Sequence, residues 1–403
     1  WRAHHHLRTG LQAALPVNPS RQHRFMYPSF EMRQPFFLIL LALLAPPALA
    51  QQIDVERDTR PPIAPDIRED ESRLKVQRGD FVAVPIPISS PTFGTGLIAG
   101  AAYFYPQTEQ QAKAQPASLT AVAGAYTDND SRALAVVQQN YWARNRWRFT
   151  GALGAADLRL SLRTPGEDAG ESRADWRING QFLLARLSAR FREGWYGGAL
   201  VRSIDAEQSF EPPVSDSEFV TLAGVRSVGL GVYAEYDSRD MPTNAYAGRY
   251  FKIDGLFNDE AIGSNKTYQN YNLDFSSYHS LSDSLILAWQ IQGCHRGGRP
   301  PLWDACTIAL RGFPATDYLG RSSASGQVEA RWKLSKRWGV VGFGGGGYSR
   351  GNFSERDERT WIPSYGAGLR FMVLPSKRIN MRLDYARSKD GSDAIHFLVG
   401  EAF

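Results

Sequence analysis

Side chains that could perform chemistry are few in this chain and lie far apart. After residue 50 the sequence holds three histidines, His279, His295 and His396, and two cysteines, Cys294 and Cys306. No histidine stands in a recognisable motif that joins a base to a serine or a carboxylate, as nucleophilic catalysis requires. We therefore expect no enzyme. The alternative is a hydrolase whose site is assembled from distant parts of the chain.

A short apolar segment near the start of the chain has the form of an export signal. Residues 36–45 are apolar, follow Arg33, and precede a small-x-small pattern at residues 48–50. The run of about 10 residues is too short to cross a bilayer as a helix, which needs roughly 20. This order of charge, apolar run and small residues predicts a signal peptide over residues 32–50. A buried core helix is the alternative, and Pro46-Pro47 disfavours it.

The excess of positive charge lies mainly before the exported part of the chain. The chain has 46 Lys and Arg against 41 Asp and Glu, a formal net charge of +5. Residues 1–50 hold five arginines and one glutamate, so 41 basic and 40 acidic residues remain after the signal. No basic stripe is left, and we expect no nucleic-acid partner. Residues 1–31 are interpreted as an upstream stretch that is not native, the alternative being a transit-like segment.

The two cysteines lie close together in the exported part. In an exported protein such a pair predicts a disulfide, here between Cys294 and Cys306, that closes a small loop. The alternative is a metal ion held by Cys294, His295 and Cys306, but a fourth ligand is not evident. We expect no metal and no cofactor.

From residue 80 onwards the sequence alternates between apolar and polar residues in short stretches. Residues 51–79 are polar, charged and Pro-bearing, and they predict a short mobile leader in the periplasm. In residues 80–403 apolar side chains occupy every second position, as in Val228, Leu230 and Val232. A soluble β-sandwich also alternates, but the export signal and the aromatic residues near the ends of the stretches favour a transmembrane barrel. We predict an all-β fold, an antiparallel barrel of about 16 strands.

The predicted strands are separated by turns, with one exception. The strands are centred on residues 80–89, 96–105, 118–126, 131–141, 146–161, 177–191, 195–208, 225–238, 246–258, 267–280, 284–294, 326–335, 338–348, 364–374, 378–388 and 394–403. The interval 295–325 is too long for a turn, and we predict a large extracellular loop or one that folds into the barrel.

This interval contains a motif of a known family. Leu310-Arg311-Gly312-Phe313 resembles the (Val/Ile)-Arg-Gly-(Phe/Tyr) motif of the bacterial surface antigen family, which includes BamA and TamA. Leu310 departs from the motif at its first position. Residues 236–248 and 366–386, and Phe403 as a terminal outer-membrane signature, extend the resemblance over the predicted barrel. The resemblance implies an outer-membrane barrel whose sixth extracellular loop folds inward as a plug.

The resemblance also implies a partner for the arginine of the motif. In the family this arginine pairs with a carboxylate on the inner wall, which makes Glu329 the partner of Arg311. Glu329 falls on the polar, inward face by its parity along the strand; an exposed arginine in a surface pair is the alternative. A second carboxylate of the family is missing, because Gly345 stands in its place. Four glycines would leave room for the infolded loop: Gly344, Gly345, Gly346 and Gly347.

Two prolines mark the first predicted strand as irregular. Pro85 and Pro87 share one parity, and neither can donate a ladder hydrogen bond. If both face the last strand, the barrel closes on a weak seam, which is the proposed lateral exit of the family that the sequence resembles. If both face the second strand, the first hairpin is merely irregular. The sequence leaves both readings open.

The resemblance leads to two expectations for function. Assembly members of the family carry periplasmic POTRA modules, and the leader over 51–79 is too short for one. We expect a role in outer-membrane protein assembly or polypeptide translocation without these modules. The expected partners are outer-membrane lipid, lipopolysaccharide and client outer-membrane proteins. The alternative is a structural or pore-forming, porin-like barrel, and the oligomeric state stays open.

Overall fold

Sixteen antiparallel strands close into one barrel in the computed structural model, which confirms the predicted fold class. The structure describes residues 76–77, 79–165, 171–211, 220–351, 359–375, 378–388 and 393–403. The predicted signal peptide, the segment before it and most of the leader lie outside these residues. The strands are β1 Asp80–Ser90, β2 Gly94–Phe104, β3 Leu119–Thr127, β4 Arg132–Trp142, β5 Trp147–Pro165, β6 Glu171–Arg192, β7 Trp195–Glu211, β8 Val220–Asp237, β9 Gly248–Asn258, β10 Tyr268–Ser280, β11 Leu285–Gly298, β12 Ser322–Lys333, β13 Trp338–Arg350, β14 Arg359–Leu374, β15 Ile379–Ser388 and β16 Asp393–Val399.

The outward face of the strands is apolar, whereas the inner face holds most of the charged side chains together with local apolar clusters such as Ile88, Ile98 and Ala125. On β12, Val328 and Trp332 are 50% and 55% exposed, whereas Glu329 and Arg331 are buried. Because successive side chains of a strand point to opposite faces, one face of each strand is apolar and outward. This arrangement suits strands whose outer face contacts lipid. No helix among the described residues has the length and apolar character needed to cross a membrane.

The sixteen strands bring the chain back to the side on which it enters the barrel. We call this the terminal side, where β1 begins and β16 ends. On the opposite side β5 to β8 are 19, 22, 17 and 18 residues long, more than the roughly 9–11 residues that cross a bilayer. Their extensions enclose an apolar core in which Leu158 and Ile178 of the wall pack with Trp303 and Leu319 from a loop.

That loop, residues 299–321 between β11 and β12, is the predicted long connection, and we call it the long loop. It is shorter than predicted because β11 and β12 continue further than the alternation indicates. It contains two 3-10 turns, Leu302–Asp304 and Ala315–Asp317. Counted along the chain, it is the sixth connection on the side opposite the chain ends.

Small elements lie outside the barrel on the terminal side. Val76–Gln77, which the sequence analysis places in the leader, pairs with Gln107–Thr108. The helix α1, Glu109–Ala114, follows, and the Thr108 side chain caps it by accepting a hydrogen bond from the Gln111 backbone. The described end of the leader is therefore attached to the β2–β3 connection.

The barrel closes where β16 meets β1, and we call this junction the seam. A single residue pair, Phe397 with Ser89, joins the two strands in register. In contrast, β1 pairs with β2 over its whole length, through Pro85 and Pro87. The seam is therefore the weakest of the strand pairings in the described part of the barrel.

Candidate functional site: the long loop in the barrel lumen

The motif of the long loop lies inside the barrel, between its walls. Gly312 adopts a φ of +109°, a conformation that side chains beyond glycine rarely take. A Cβ at this position would also press on the backbone of β15 at Ala386 and Arg387. Phe313 is buried and meets Tyr318 of the same loop edge to face, with ring centroids 5.1 Å apart. The glycine lets the loop turn against the wall, and the aromatic pair makes the turn compact.

Arg311 of the motif is held by two carboxylates on the inner wall. Its guanidinium lies 2.8 Å from Glu329 on β12 and 2.8 Å from Asp384 on β15. It also donates a hydrogen bond of 3.2 Å to Gln327 and stands 3.3 Å from the centre of the Phe343 ring. Only 7% of its side chain is exposed. The structure thus brings Arg311 and Glu329 together and adds a second carboxylate.

Further charges surround this pair and complete what we call the lumen cluster. Its members are Arg311, Glu329, Arg331, Arg370, Arg382, Asp384 and Glu401. Arg331 lies 2.8 Å from Glu329, and Arg370 lies 2.8 Å from Glu401 while also contacting Asp384. Four cations and three anions leave the cluster with one excess positive charge. Such buried charges persist only when they are paired, because an isolated one would carry a large desolvation penalty.

Asp384 is the functional residue that the sequence analysis misses as a partner. The second carboxylate of the family is missing from β13, as the sequence indicates at Gly345, but Asp384 reaches the same guanidinium from β15. A signal was present, because Asp384 belongs to the polar parity of its strand together with Asn380 and Arg382. What the sequence does not show is which strands of the wall the folded loop lies against.

The four glycines on β13 have different surroundings. A Cβ on Gly347 would collide with Ile308 of the long loop, so this glycine makes room for the loop. A Cβ on Gly345 would meet the neighbouring strand at Gly326, and one on Gly346 would meet Trp361. Around Gly344 the nearest atoms are 3.9 Å away, which leaves space for a methyl group. Among the four, only Gly347 has loop residues as the nearest neighbours of an added Cβ.

A second anchor holds the other half of the long loop. Cys306 in the loop and Cys294 on β11 form a disulfide. Nearby Asp304, buried in the loop, accepts hydrogen bonds of 2.8 Å from Tyr268 and from Asn270 on β10. Arg202 on β7 also forms an ion pair with Asp304.

The charge of Asp304 is stabilised by its neighbours. Burial by itself would raise the pKa of Asp304, but the guanidiniums of Arg202 and Arg296 hold that pKa below its ordinary value. Arg296 also donates a 2.7 Å hydrogen bond to the Asp304 carbonyl. The disulfide and this ionised carboxylate therefore fix the loop to the wall at neutral pH.

The long loop also touches both edges of the seam. The Gly312 N–H donates to His396 Nε2 on β16 at 3.4 Å. The Ala315 N–H donates to the Thr92 hydroxyl, in the turn between β1 and β2, at 2.9 Å. Thr316 donates a 2.6 Å hydrogen bond to the Ser161 carbonyl on β5. One short stretch of loop thereby links the last strand, the first hairpin and the wall beyond it.

Phe403 lies elsewhere than its predicted place at the end of the last strand. β16 ends at Val399, and Gly400, with a φ of +95°, turns the chain into the lumen. There the carbonyl of Phe403 accepts a 2.9 Å hydrogen bond from Arg331, and its ring lies 6.4 Å from that of Tyr278. Phe403 is predicted to lie at the end of the last strand because an aromatic residue is typical of that position. The prediction is wrong because Gly400 turns the backbone before Phe403 is reached.

Comparison with solved structures shows the same fold. The chain resembles BamA from Haemophilus ducreyi lacking POTRA domains 1–3, with a TM-score of 0.57, 12% identity, and coverage of 80% of this chain and 70% of that one. It resembles CdiB from Acinetobacter baumannii with a TM-score of 0.53 and 12% identity, covering 80% of this chain and 60% of that one. CdiB from Escherichia coli gives 0.52 and 10%, with 81% and 63% coverage. The chain thus spans less than two thirds of either CdiB. No family model and no curated protein matches the sequence.

Proposed function

We propose that this chain is an outer-membrane barrel that assembles or translocates polypeptides through an opening at its seam, with the long loop as a plug. The fold is that of BamA and CdiB barrels, and the motif around Arg311 belongs to the family that the sequence resembles. In this proposal the terminal side faces the periplasm and the apolar outer face contacts membrane lipid. Client outer-membrane or exported proteins are the partners.

The observation that carries the proposal is the single register pair of the seam. Every strand crossing hydrocarbon must satisfy its backbone groups within the protein, so a seam with one pair is a site where another strand could be accommodated. Pro85 and Pro87 have no backbone N–H, and we assign these two missing hydrogen-bond donors to the edge of β1 that faces β16. In support, the pairing of β1 with β2 runs without interruption through both prolines.

The plug role of the long loop is supported by its contacts at two depths. Arg311 fixes the loop to β12 and β15 within the lumen, and Asp304 and the disulfide fix it to β7, β10 and β11. A loop held in this way obstructs the lumen. An open, porin-like channel through the same lumen would need the long loop to leave the lumen. In this proposal the barrel therefore conducts ions only after the loop has left.

A disulfide across the seam tests the proposal. Ser89→Cys and Phe397→Cys, placed in a Cys294→Ser/Cys306→Ser background, would lock β1 to β16 at their one register pair. The matched control joins two neighbouring strands away from the seam through Ala123→Cys and Ala135→Cys, which are also in register. Both proteins are reconstituted into liposomes, and folding of an added outer-membrane protein is followed by its heat-modifiable gel migration.

We expect the locked seam to slow client folding and the reducing agent to restore it, while the control disulfide has no effect. Equal rates for the locked and reduced seam would refute lateral opening. A barrel that conducts ions but never accelerates client folding would instead identify the protein as a pore. Each result separates the two functions without a need to know the natural client.

A further inference from the structure

A cavity of about 390 Å³ opens on the terminal side of the barrel, at the β12–β13 and β14–β15 turns. It borders the lumen cluster, with which it shares Arg331, Arg370 and Glu401, but Arg311, Glu329 and Asp384 do not line it. Its lining is strongly cationic, with one acidic residue, Glu401, against six basic ones: Arg331, Lys333, Lys336, Arg337, Arg370 and Arg378.

Half of these cations are already neutralised. Arg331 pairs with Glu329, Arg370 pairs with Glu401, and Arg378 lies 2.6 Å from Asp240. Lys333, Lys336 and Arg337 have no acidic partner in the part of the chain that the structure describes. The cavity therefore presents three positive charges without a carboxylate partner among the described residues, two in the exposed turn and one, that of Lys333, further inside.

One unpaired cation, Lys333, and one paired cation, Arg378, lie over the same aromatic ring. The Lys333 ammonium lies 4.3 Å from the centre of the Tyr246 ring, and the Arg378 guanidinium lies 4.0 Å from the same centre. Lys333 shares the inward parity of Arg331 on β12, so its charge points to the lumen end of the cavity. Lys336 and Arg337 lie exposed in the turn that follows.

The outer surface beside this turn is apolar and aromatic. Trp332, Leu334 and Trp338 are 55%, 63% and 52% exposed, and Trp338 packs on Phe371 with ring centroids 4.8 Å apart. Tryptophans in this position are typical of the level of lipid headgroups, where an apolar body meets a wet edge. The cations of the cavity consequently lie at the depth of phosphate groups.

We propose that this cavity binds a phosphate group, the headgroup phosphate of an anionic phospholipid in the leaflet on the terminal side. Lys336 and Arg337 meet the phosphate at the membrane surface, and Lys333 draws it inward towards Tyr246. Free phosphate carries the same chemistry, and the experiment separates the two sources. The proposal does not depend on the assembly function, because it concerns binding alone.

The chain contains a matched control for this site. The β4–β5 turn, on the same side of the barrel, also has two tryptophans, Trp142 and Trp147, and two exposed arginines, Arg144 and Arg146. None of these four residues lines the cavity. If the lipid is held only by general attraction between cations and an anionic surface, substitutions in either turn should weaken binding. If it is held in the cavity, only substitutions in the cavity should do so.

The test measures phosphatidylglycerol retained by the full chain in detergent, by native mass spectrometry. The reference is phosphatidylcholine, a zwitterionic lipid whose phosphate charge is offset by its choline cation. The variants are Lys336→Gln/Arg337→Gln, Lys333→Gln and the control Arg144→Gln/Arg146→Gln. Heat-modifiable migration verifies that each variant is folded.

We expect the first two variants to weaken phosphatidylglycerol binding on the order of tenfold, as for the loss of one or two charge contacts, and the control to leave it unchanged. Displacement by millimolar inorganic phosphate would support recognition of phosphate alone, and its failure with lipid binding retained would support the phospholipid. Equal losses in cavity and control variants, or equal retention of both lipids, would overturn the proposal.

Discussion

Glu329 should matter more for stability than Arg311, although the two residues form one ion pair. Counted over its side chains, the lumen cluster has four cations and three anions. Removing Arg311 makes the cluster neutral and leaves Glu329 with Arg331 at 2.8 Å and Asp384 with Arg370. Removing Glu329 doubles the excess and takes the carboxylate away from Arg331 as well.

The expected magnitudes follow from this asymmetry. Arg311→Met keeps the bulk of the side chain and leaves no carboxylate unpaired, so we expect a loss of about 1–3 kcal/mol in the free energy of unfolding. Glu329→Gln strands buried guanidinium charge, and we expect a loss of about 3–5 kcal/mol. In the double variant the net charge of the cluster returns to its original value, so its loss should be smaller than the sum of the two.

Urea unfolding of the barrel in liposomes, followed by tryptophan fluorescence and by heat-modifiable migration, measures these differences. Arg159→Met is the control, because Arg159 and Asp130 form a pair with half of each side chain exposed, and it should cost about 0–1 kcal/mol. An Arg311→Met barrel as unstable as Glu329→Gln, or an additive double variant, would refute the charge argument.

Three further predictions concern how the long loop is held. Cys294→Ser/Cys306→Ser should lower the free energy of unfolding by about 3 kcal/mol, and reductant should shift the urea midpoint of the native chain equally; an unchanged midpoint contradicts this. Because the folded pKa of Asp304 is lowered, its contribution is complete above its ordinary value of about 4 and is lost as pH falls through the folded value. Protease cleavage of the loop should therefore rise in acid for the native chain, while Asp304→Asn should be cleaved already at neutral pH. Gly347→Ala should increase loop cleavage by displacing Ile308, whereas Gly344→Ala, where a Cβ has space, should not.

The alternation of apolar and polar residues predicted most of the fold, and it predicted Glu329 as one of the two carboxylates that hold Arg311. Period-two alternation is a local property, so it located sixteen strands and placed Glu329 on the inward face. The contact of Asp384 with Arg311 escaped prediction because it joins the folded loop to a strand three places along the wall from β12, between residues separated by 73 positions in the chain. Parity indicates the face of a strand, but not which strand lies opposite a loop.

The surroundings of Asp304 show the same limit. The disulfide partner Cys306 was predicted from its proximity to Cys294 in the sequence, while the ligands of the buried carboxylate come from three strands. Tyr268 and Asn270 are ordinary polar residues of β10 by their pattern, and only the folded loop turns them into an anchor. Strand ends were also missed where a single glycine acts, since Gly400 diverts the chain after Val399.

Seam and loop are coupled by their shared contacts. The register of β1 and β16 contributes one residue pair, so the edges at this junction need other interactions to remain close. The long loop supplies two of them, because Gly312 binds His396 on β16 while Ala315 binds Thr92 beside β1. Withdrawal of the loop removes both contacts at once, and separation of the edges in turn removes support for the loop between them. If the loop is a plug and the seam a lateral opening, as proposed, the two share the same few hydrogen bonds and cannot act independently. Anything that displaces Arg311 from the wall should therefore also loosen the seam.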